Sequence, residues 1–294
     1  MHIGEKIKRL RTAKLMTQSE LVGGEITRNM LSRIENGAAQ PSMATVKYIA
    51  ERLNVSAGFL FADEEDEILY FKSSEIGNIK KAYANKNYAL CHQMCKNSEW
   101  SDDELMLILS ESTAYVGIEA FSHGNLRMAA ELFDEAISYS AQTVYDTSSI
   151  VSRIKCYFDY MSLISPTLDT NEAEADIDSL PILKDNFCIY SYIFFKGEND
   201  GYQSVPLLNE GLSRLGESSY GIHIRAKLLM LEEKYREGYD ALHTLLFKDI
   251  GELPEPMIYF VLGDIELCCK EIYDFKGAYD FSKSKLELMQ KLLS

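Results

Sequence analysis

Along residues 1–61 apolar side chains recur at helical spacing in short bursts, each bounded by a capping residue or a glycine. Ile3, Ile7 and Leu10 fall at i, i+4 and i+7, the buried stripe of a first helix. Thr17 is placed to cap a second helix, with Glu20 three residues on as its capping-box partner and Leu21 as its core residue. Gly23-Gly24 ends that helix and permits a sharp turn. Thr27 caps a third, whose inward positions are Leu31 and Ile34 and which closes at Asn36-Gly37. Pro41-Ser42 opens a fourth, with Val46, Ile49, Ala50 and Leu53 on one face. Ser56 caps a last short helix carrying Phe59, Leu60 and Phe61. The pattern predicts a small all-α domain over 1–61.

The run Asp63-Glu64-Glu65-Asp66-Glu67 follows, within an expected acidic linker over 62–69. Such a run is either a solvated hinge or the first turn of a helix, where carboxylates favour the dipole. Residues 70–294 then read as helical throughout, with few prolines and no alternating strand pattern. A weak repeat runs through them. Its clearest copy is Ala120 to Ala136, in which Gly124 marks a turn and Ala129, Phe133 and Ala136 form a stripe. The same large-x-x-small step recurs as Tyr88…Cys91, Leu126…Ala129, Tyr202…Val205, Tyr235…Gly238 and Phe275…Ala278, at spacings of 38, 76, 33 and 40 residues. The 76-residue gap implies a degenerate copy across 145–185. Helix pairs at this period predict an α-solenoid, the alternative being an irregular helical bundle without a true repeat.

Between Thr17 and Gly37, two short amphipathic helices are joined by a tight turn, and the second opens with polar residues. This is the sequence form of a helix-turn-helix DNA reader. Charge supports it. Residues 1–61 hold nine Lys/Arg and five Glu, +4, leaving 21 basic and 40 acidic residues, −19, in the rest of a chain of net −15. A basic head on an acidic body suits contact with nucleic acid through one end.

Other chemistry is sparse. His2, His92, His123, His223 and His243 are scattered, and no zinc-protease, nucleophile-elbow or phosphate-loop motif is present. The six cysteines lack C-x-x-C spacing. Cys91, His92 and Cys95 share a helical face, read here as buried thiols beside a histidine. No enzyme, metal or cofactor is expected. The longest apolar run, Phe187 to Phe195, is too short to cross a bilayer, and the charged first ten residues predict no secretory signal.

The head resembles the Cro/CI-type (XRE) helix-turn-helix family. The residues that carry the likeness are Ile7-Lys8-Arg9-Leu10-Arg11, Thr17-Gln18-x-Glu20-Leu21, Ser32-Arg33-Ile34-Glu35-Asn36-Gly37, Pro41-Ser42 and Ile49-Ala50-x-x-Leu53, in order across the domain. One departure is a segment between Leu21 and Leu31 about one residue shorter than the family pattern, with Gly23-Gly24 in place of a longer helix end. The resemblance implies that the third helix lies in the major groove with Arg28, Asn29 and Arg33 outward. Arg pairs with guanine O6/N7 and Asn with adenine N6/N7, Met30 would meet a thymine methyl, and Gln18 and Thr27 would hold phosphates. Arg11 and Glu35 match positions that pair internally.

The body resembles degenerate tetratricopeptide repeats, most clearly at 114–137. A Cro/CI-type head followed by such repeats is similar to the Rgg/PlcR/PrgX-type regulators. That layout implies a cytoplasmic, homodimeric transcription factor that binds an operator in double-stranded DNA and is controlled by a short signalling peptide in the repeat domain. Asn87, Lys155, Asn209 and Arg225 are the candidate peptide contacts. The alternative is a DNA-binding regulator whose repeats serve only protein–protein interaction or dimerisation.

Overall fold

A computed structural model describes residues 2–166, 184–203, 205–248 and 253–293. Among the described residues there are sixteen helices and no strand. Part of the degenerate repeat expected at 145–185 lies outside them. The chain forms two compact units, Met1–Lys81 with Asn97–Trp100, and Ala82–Lys96 with Ser101–Ser294.

The first unit holds α1 (Ile3–Ala13), α2 (Gln18–Val22), α3 (Arg28–Glu35), α4 (Met43–Leu53), α5 (Ala57–Phe61) and most of α6 (Glu64–Ala84). Its helices start where local chemistry satisfies free backbone N–H groups. The hydroxyls of Thr17, Thr27, Ser42 and Ser56 accept from the backbone of Glu20, Met30, Thr45 and Phe59, and Thr17–Glu20 is a reciprocal capping box. Each such cap contributes about 1 kcal/mol. Ile7, Leu21, Leu31, Ile34, Val46, Ile49 and Leu53 close into one core.

The acidic run is the first turn of α6, where Asp63 Oδ1 accepts from Asp66 N at 2.9 Å. Glu67 is buried there and receives Lys6 Nζ at 2.7 Å and Arg9 Nη2 at 2.9 Å. Burial pushes the Glu67 carboxyl up, but the two cations outweigh it and hold it below its usual range. Lys6 is itself fully buried, and its ammonium also donates to Phe59 O and Ala62 O at 2.8 and 2.6 Å. It is an internal strut from α1 to α5 and α6, not part of a basic surface. Trp100 returns to α6, its indole N–H donating to Glu75 at 3.1 Å.

In the second unit α7 (Tyr88–Lys96), α8 (Asp103–Ser122), α9 (Leu126–Ser140), α10 (Ser148–Ser162), α11 (Asn186–Asp200), α12 (Val205–Leu215), α13 (Ser219–Leu231), α14 (Tyr235–Lys248), α15 (Glu255–Glu271) and α16 (Phe275–Leu292) pack on their neighbours in chain order. The repeat anchors have a structural meaning. Tyr88, Leu126, Tyr235 and Phe275 are first residues of helices, and each follows by two positions a left-handed residue: Lys86, Gly124, Glu233 and Tyr273, at φ 58°, 79°, 61° and 61°. At the remaining anchor Tyr202 itself takes φ 57° and the helix begins at Val205. The recurrent turn closes one helix and starts its partner, as C-terminal αL caps do.

The row of pairs curls far enough for α15 to pack on α8. Leu292 of α16 lies close beneath the Gly124 turn, so a β-carbon there would come within 2.9 Å of it. Rings from α8, α10, α11 and α15 (Phe121, Tyr160, Phe187, Tyr190, Phe194, Phe260) meet inside in edge and tilted contacts. No described helix is long and apolar enough to cross a membrane.

Candidate nucleic-acid interface and body pocket

In the first unit, α2 and α3 are set by a glycine turn and a buried charge. Gly23 takes φ 55°, and a β-carbon there would lie 2.3 Å from Tyr48 Oη. That hydroxyl donates to Val22 O at 2.8 Å, and Arg52 Nη2 donates to Glu20 O at 2.5 Å, so α4 satisfies the carbonyl end of α2. Glu35, at the end of α3, is 4% exposed. It takes Arg11 Nε on Oε1 at 2.6 Å and Arg11 Nη2 on Oε2 at 3.0 Å, while Arg11 Nη1 donates to Met16 O. The hydrogen bond and the charge of Glu35 raise the pKa of Arg11 further against burial. Glu35 Oε2 also accepts from Gln18 Nε2 at 2.8 Å, and Gln18 Oε1 accepts from Arg28 Nε at 3.5 Å. A hydrogen-bonded chain thus runs from α1 through the interior to the first residue of α3.

Arg28, Asn29 and Arg33 are exposed on α3, and Met30 is 38% exposed. Thr27 spends its hydroxyl on the cap of α3. Gln18, expected as a phosphate contact, has its amide committed to Glu35 and Arg28, which orients the arginine. That positioning role is invisible in the sequence because its partners lie 17 and 10 residues away. Lys8, Lys14, Lys47 and Arg52, with no ion pair among the described residues, are exposed on the same unit.

In the second unit a pocket of about 450 Å³ is lined by Tyr115, Ser148, Ser149, Ser152, Arg153 and Lys184, with Asp185 and Cys188 beside them. Arg153 lies over the Tyr115 ring at 4.9 Å, and Tyr115 stacks on Tyr88 at 3.9 Å. Its Nη2 is 3.9 Å from Glu111. Its Nη1 is buried with no hydrogen-bond partner among the described residues. Burial disfavours its charge, but nearby Tyr115, Glu111 and Asp185 favour it more, so the guanidinium stays cationic. A cation with a spare donor, beside Lys184 and the N-terminus of α10, suits a carboxylate. The Cys188 thiol, hydrogen-bonded with Cys156 and buried, is pushed well up and is no nucleophile.

The four residues picked from the sequence as peptide contacts do not meet there. Asn87 Oδ1 accepts from Leu90 N at the start of α7, Lys155 pairs with Asp159 at 3.6 Å, Arg225 pairs with Glu217, and Asn209 is exposed on α12. Arg153, two residues from Lys155, is the one that lines the pocket. The sequence signal that marks it is weak: a cation within the serine-rich opening of α10.

A buried polar chain crosses the same unit. Tyr160 Oη and Tyr190 Oη are 3.1 Å apart, and Tyr190 Oη is 2.8 Å from His223 Nδ1. His223 Nε2 reaches Asp264 Oδ2 at 2.8 Å, and Lys227 Nζ donates to Asp264 Oδ1 at 2.7 Å and Glu198 Oε1 at 3.1 Å. The set resembles a catalytic relay in composition, yet every member is satisfied and His223 is fully buried, so it ties α10, α11, α13 and α15 together. The six cysteines are free and buried, His92 Nδ1 lies 2.8 Å from Thr113 Oγ1, and no described group of His, Cys, Asp and Glu is placed to hold a metal.

Two short helices bridged by a tight turn, the second exposing arginine and asparagine from a buttressed base, define a helix-turn-helix DNA-binding domain. Residues 7–60 match the Helix-turn-helix family. No curated protein matches the chain. Among solved structures, Bacillus thuringiensis PlcR in complex with the peptide PapR7 and DNA is similar over 98% of this chain and 95% of that one, at 16% identity and a TM-score of 0.28. A bacterial peptide pheromone–receptor complex is similar over 99% and 98%, at 15% identity and 0.27. ComR from S. thermophilus, in complex with DNA and its signalling peptide, is similar over 97% and 99%, at 15% and 0.22. These identities and TM-scores are too low to transfer a ligand or a role to any residue here.

Proposed function

We propose that the chain is a homodimeric, cytoplasmic transcriptional regulator that reads an operator through α3 and is controlled by a short peptide held in the tetratricopeptide-like body. The observation that carries the DNA half is the helix-turn-helix match over 7–60 on a unit whose α3 exposes Arg28, Asn29 and Arg33. The peptide half is supported by the Arg153 pocket, whose volume suits two or three residues and whose spare cationic donor suits a terminal carboxylate. Dimerisation follows from the small footprint of one head: two heads on adjacent half-sites multiply affinity.

Operator selection from random duplexes, followed by anisotropy titration at fixed salt, tests the first half. Arg28→Ala and Asn29→Ala should each weaken binding by ~1–3 kcal/mol and relax preference at one base pair. Unchanged affinity in both would show that α3 is not the reading face. Calorimetry with random short peptides tests the second half. Peptides with a free carboxyl terminus should bind better than their amides, and Arg153→Ala should abolish the difference. No binding by any peptide would leave the body as a dimerisation module.

A further inference from the structure

The last helix of the second unit is apolar on two faces. Ala278 and Leu292 are buried against the body, with Phe281 and Leu288 partly buried beside them. A second stripe, Phe275, Tyr279, Ser282, Leu286, Met289 and Leu293, advances in steps of 4, 3, 4, 3 and 4 residues, the heptad spacing of a helix–helix seam. Four of its six positions point away from the body, while Ser282 and Met289 are half-buried. Phe275, Tyr279, Leu286 and Leu293 are 67%, 69%, 55% and 40% exposed. Beside the stripe lies a groove of about 480 Å³ between α15 and α16, floored by Tyr259 and Met289 and open at Tyr279 and Leu286.

The charges flanking the stripe indicate what covers it. Lys276, Asp280, Lys283 and Glu287 form one exposed row of alternating sign. Laid antiparallel on a copy of itself, the row sets Lys276 against Glu287 and Asp280 against Lys283, four pairs of opposite sign. An axis at Ser282 opposes Phe275 to Met289 and Ser282 to Ser282, and brings the charged pairs and Tyr279 with Leu286 to within one residue of register. A parallel alignment opposes like charges throughout. Apolar seam and charged row therefore call for one partner in one orientation. We infer that the outer face of α16 is an isologous interface that pairs antiparallel, about an axis near Ser282, with α16 of a second copy of this chain. The inference rests on the homodimer of the proposed function and names its surface.

The test uses the full chain. Light scattering of the wild type should give about 67 kDa, twice the chain mass of 33.4 kDa. L286E, at a position more than half exposed and so compatible with an unchanged circular dichroism spectrum, should raise the dimer dissociation constant on the order of 100-fold. K276E/K283E, which makes the row wholly acidic, should weaken the dimer, and the fourfold inversion K276E/D280K/K283E/E287K should restore it. S282C should be joined to its partner by a short bismaleimide, since the six native cysteines are buried. A wild-type dimer that L286E and K276E/K283E leave as tight as before, with no S282C crosslinking, would overturn this surface while leaving the homodimer standing. A wild-type monomer that still reads its operator would overturn both.

Discussion

Glu35 joins the interior of the head to its outward face. Its two oxygens hold Arg11 and Gln18, and Gln18 in turn holds Arg28. Glu35→Ala would leave the Arg11 guanidinium, 13% exposed, without its counter-charge. Removing one partner of a buried pair costs about 3–5 kcal/mol. Denaturant unfolding should show a loss of that order, and operator affinity at low denaturant should also fall as Gln18 and Arg28 lose their register. A loss under 1 kcal/mol would show the pair to be solvent-screened. His223 is the corresponding residue of the body. Burial depresses its pKa below the ordinary 6.5 more than Asp264 raises it. The unfolded chain therefore binds more protons below that pH, so the stability His223 contributes is present above about pH 6.5 and is lost as pH falls towards its folded value. The Asp264 carboxyl, held below its ordinary 3.8 by Lys227 and His223 despite burial, adds a further loss only at lower pH. Urea midpoints for the body should fall between pH 7 and 5. His92 shifts in the same direction through burial. A flat profile in the wild type would exclude the buried neutral histidine, and H92Q/H223Q should flatten it.

Gly23 decides how α2 turns into α3. It combines a left-handed φ of 55° with a Tyr48 hydroxyl where a β-carbon would sit, whereas Gly24 has open space around it. Gly23→Ala should destabilise the head by about 2 kcal/mol, roughly half from backbone strain and half from displacing the Tyr48–Val22 hydrogen bond. Gly24→Ala should be near neutral in the same melts, and equal effects at the two positions would remove Gly23 from this role. The sequence showed this much of the turn because caps and glycine ends are local: Thr17, Thr27, Ser42 and Ser56 act on groups three residues away. The repeat anchors were legible for the same reason, as helix starts after a fixed turn. What was not legible depends on distant partners. Lys6 counts as a basic surface residue until Phe59 O, Ala62 O and Glu67 are seen around it. Left-handed Lys86, Glu233 and Tyr273 hide a turn that only Gly124 advertised. Arg153 stands out over Lys155 only once Tyr115 and Glu111, from α8, are placed against it.

Over the whole molecule, charge and chemistry are divided between the units. Of nine basic residues in 1–61, Lys6, Arg9 and Arg11 are held in internal ion pairs, and the other six are exposed. The strongly acidic remainder of the chain repels DNA, so a peptide in the Arg153 pocket can act on operator binding only by shifting the equilibrium between forms that differ in their affinity for DNA. Thermodynamic linkage then fixes the outcome. If peptide changes operator affinity by some factor, typically 5–150-fold, operator must change peptide affinity by the same factor. The full chain should be titrated with a peptide that bears a free carboxyl terminus and was selected for binding, once alone and once saturated with operator, and with operator in the absence and presence of peptide. The two ratios should agree. Arg153→Ala should bring both to one while leaving operator affinity of the peptide-free protein unchanged, because the pocket and α3 share no residue. Equal ratios of one in the wild type, with peptide bound in the pocket, would mean that the body captures peptide without controlling the head.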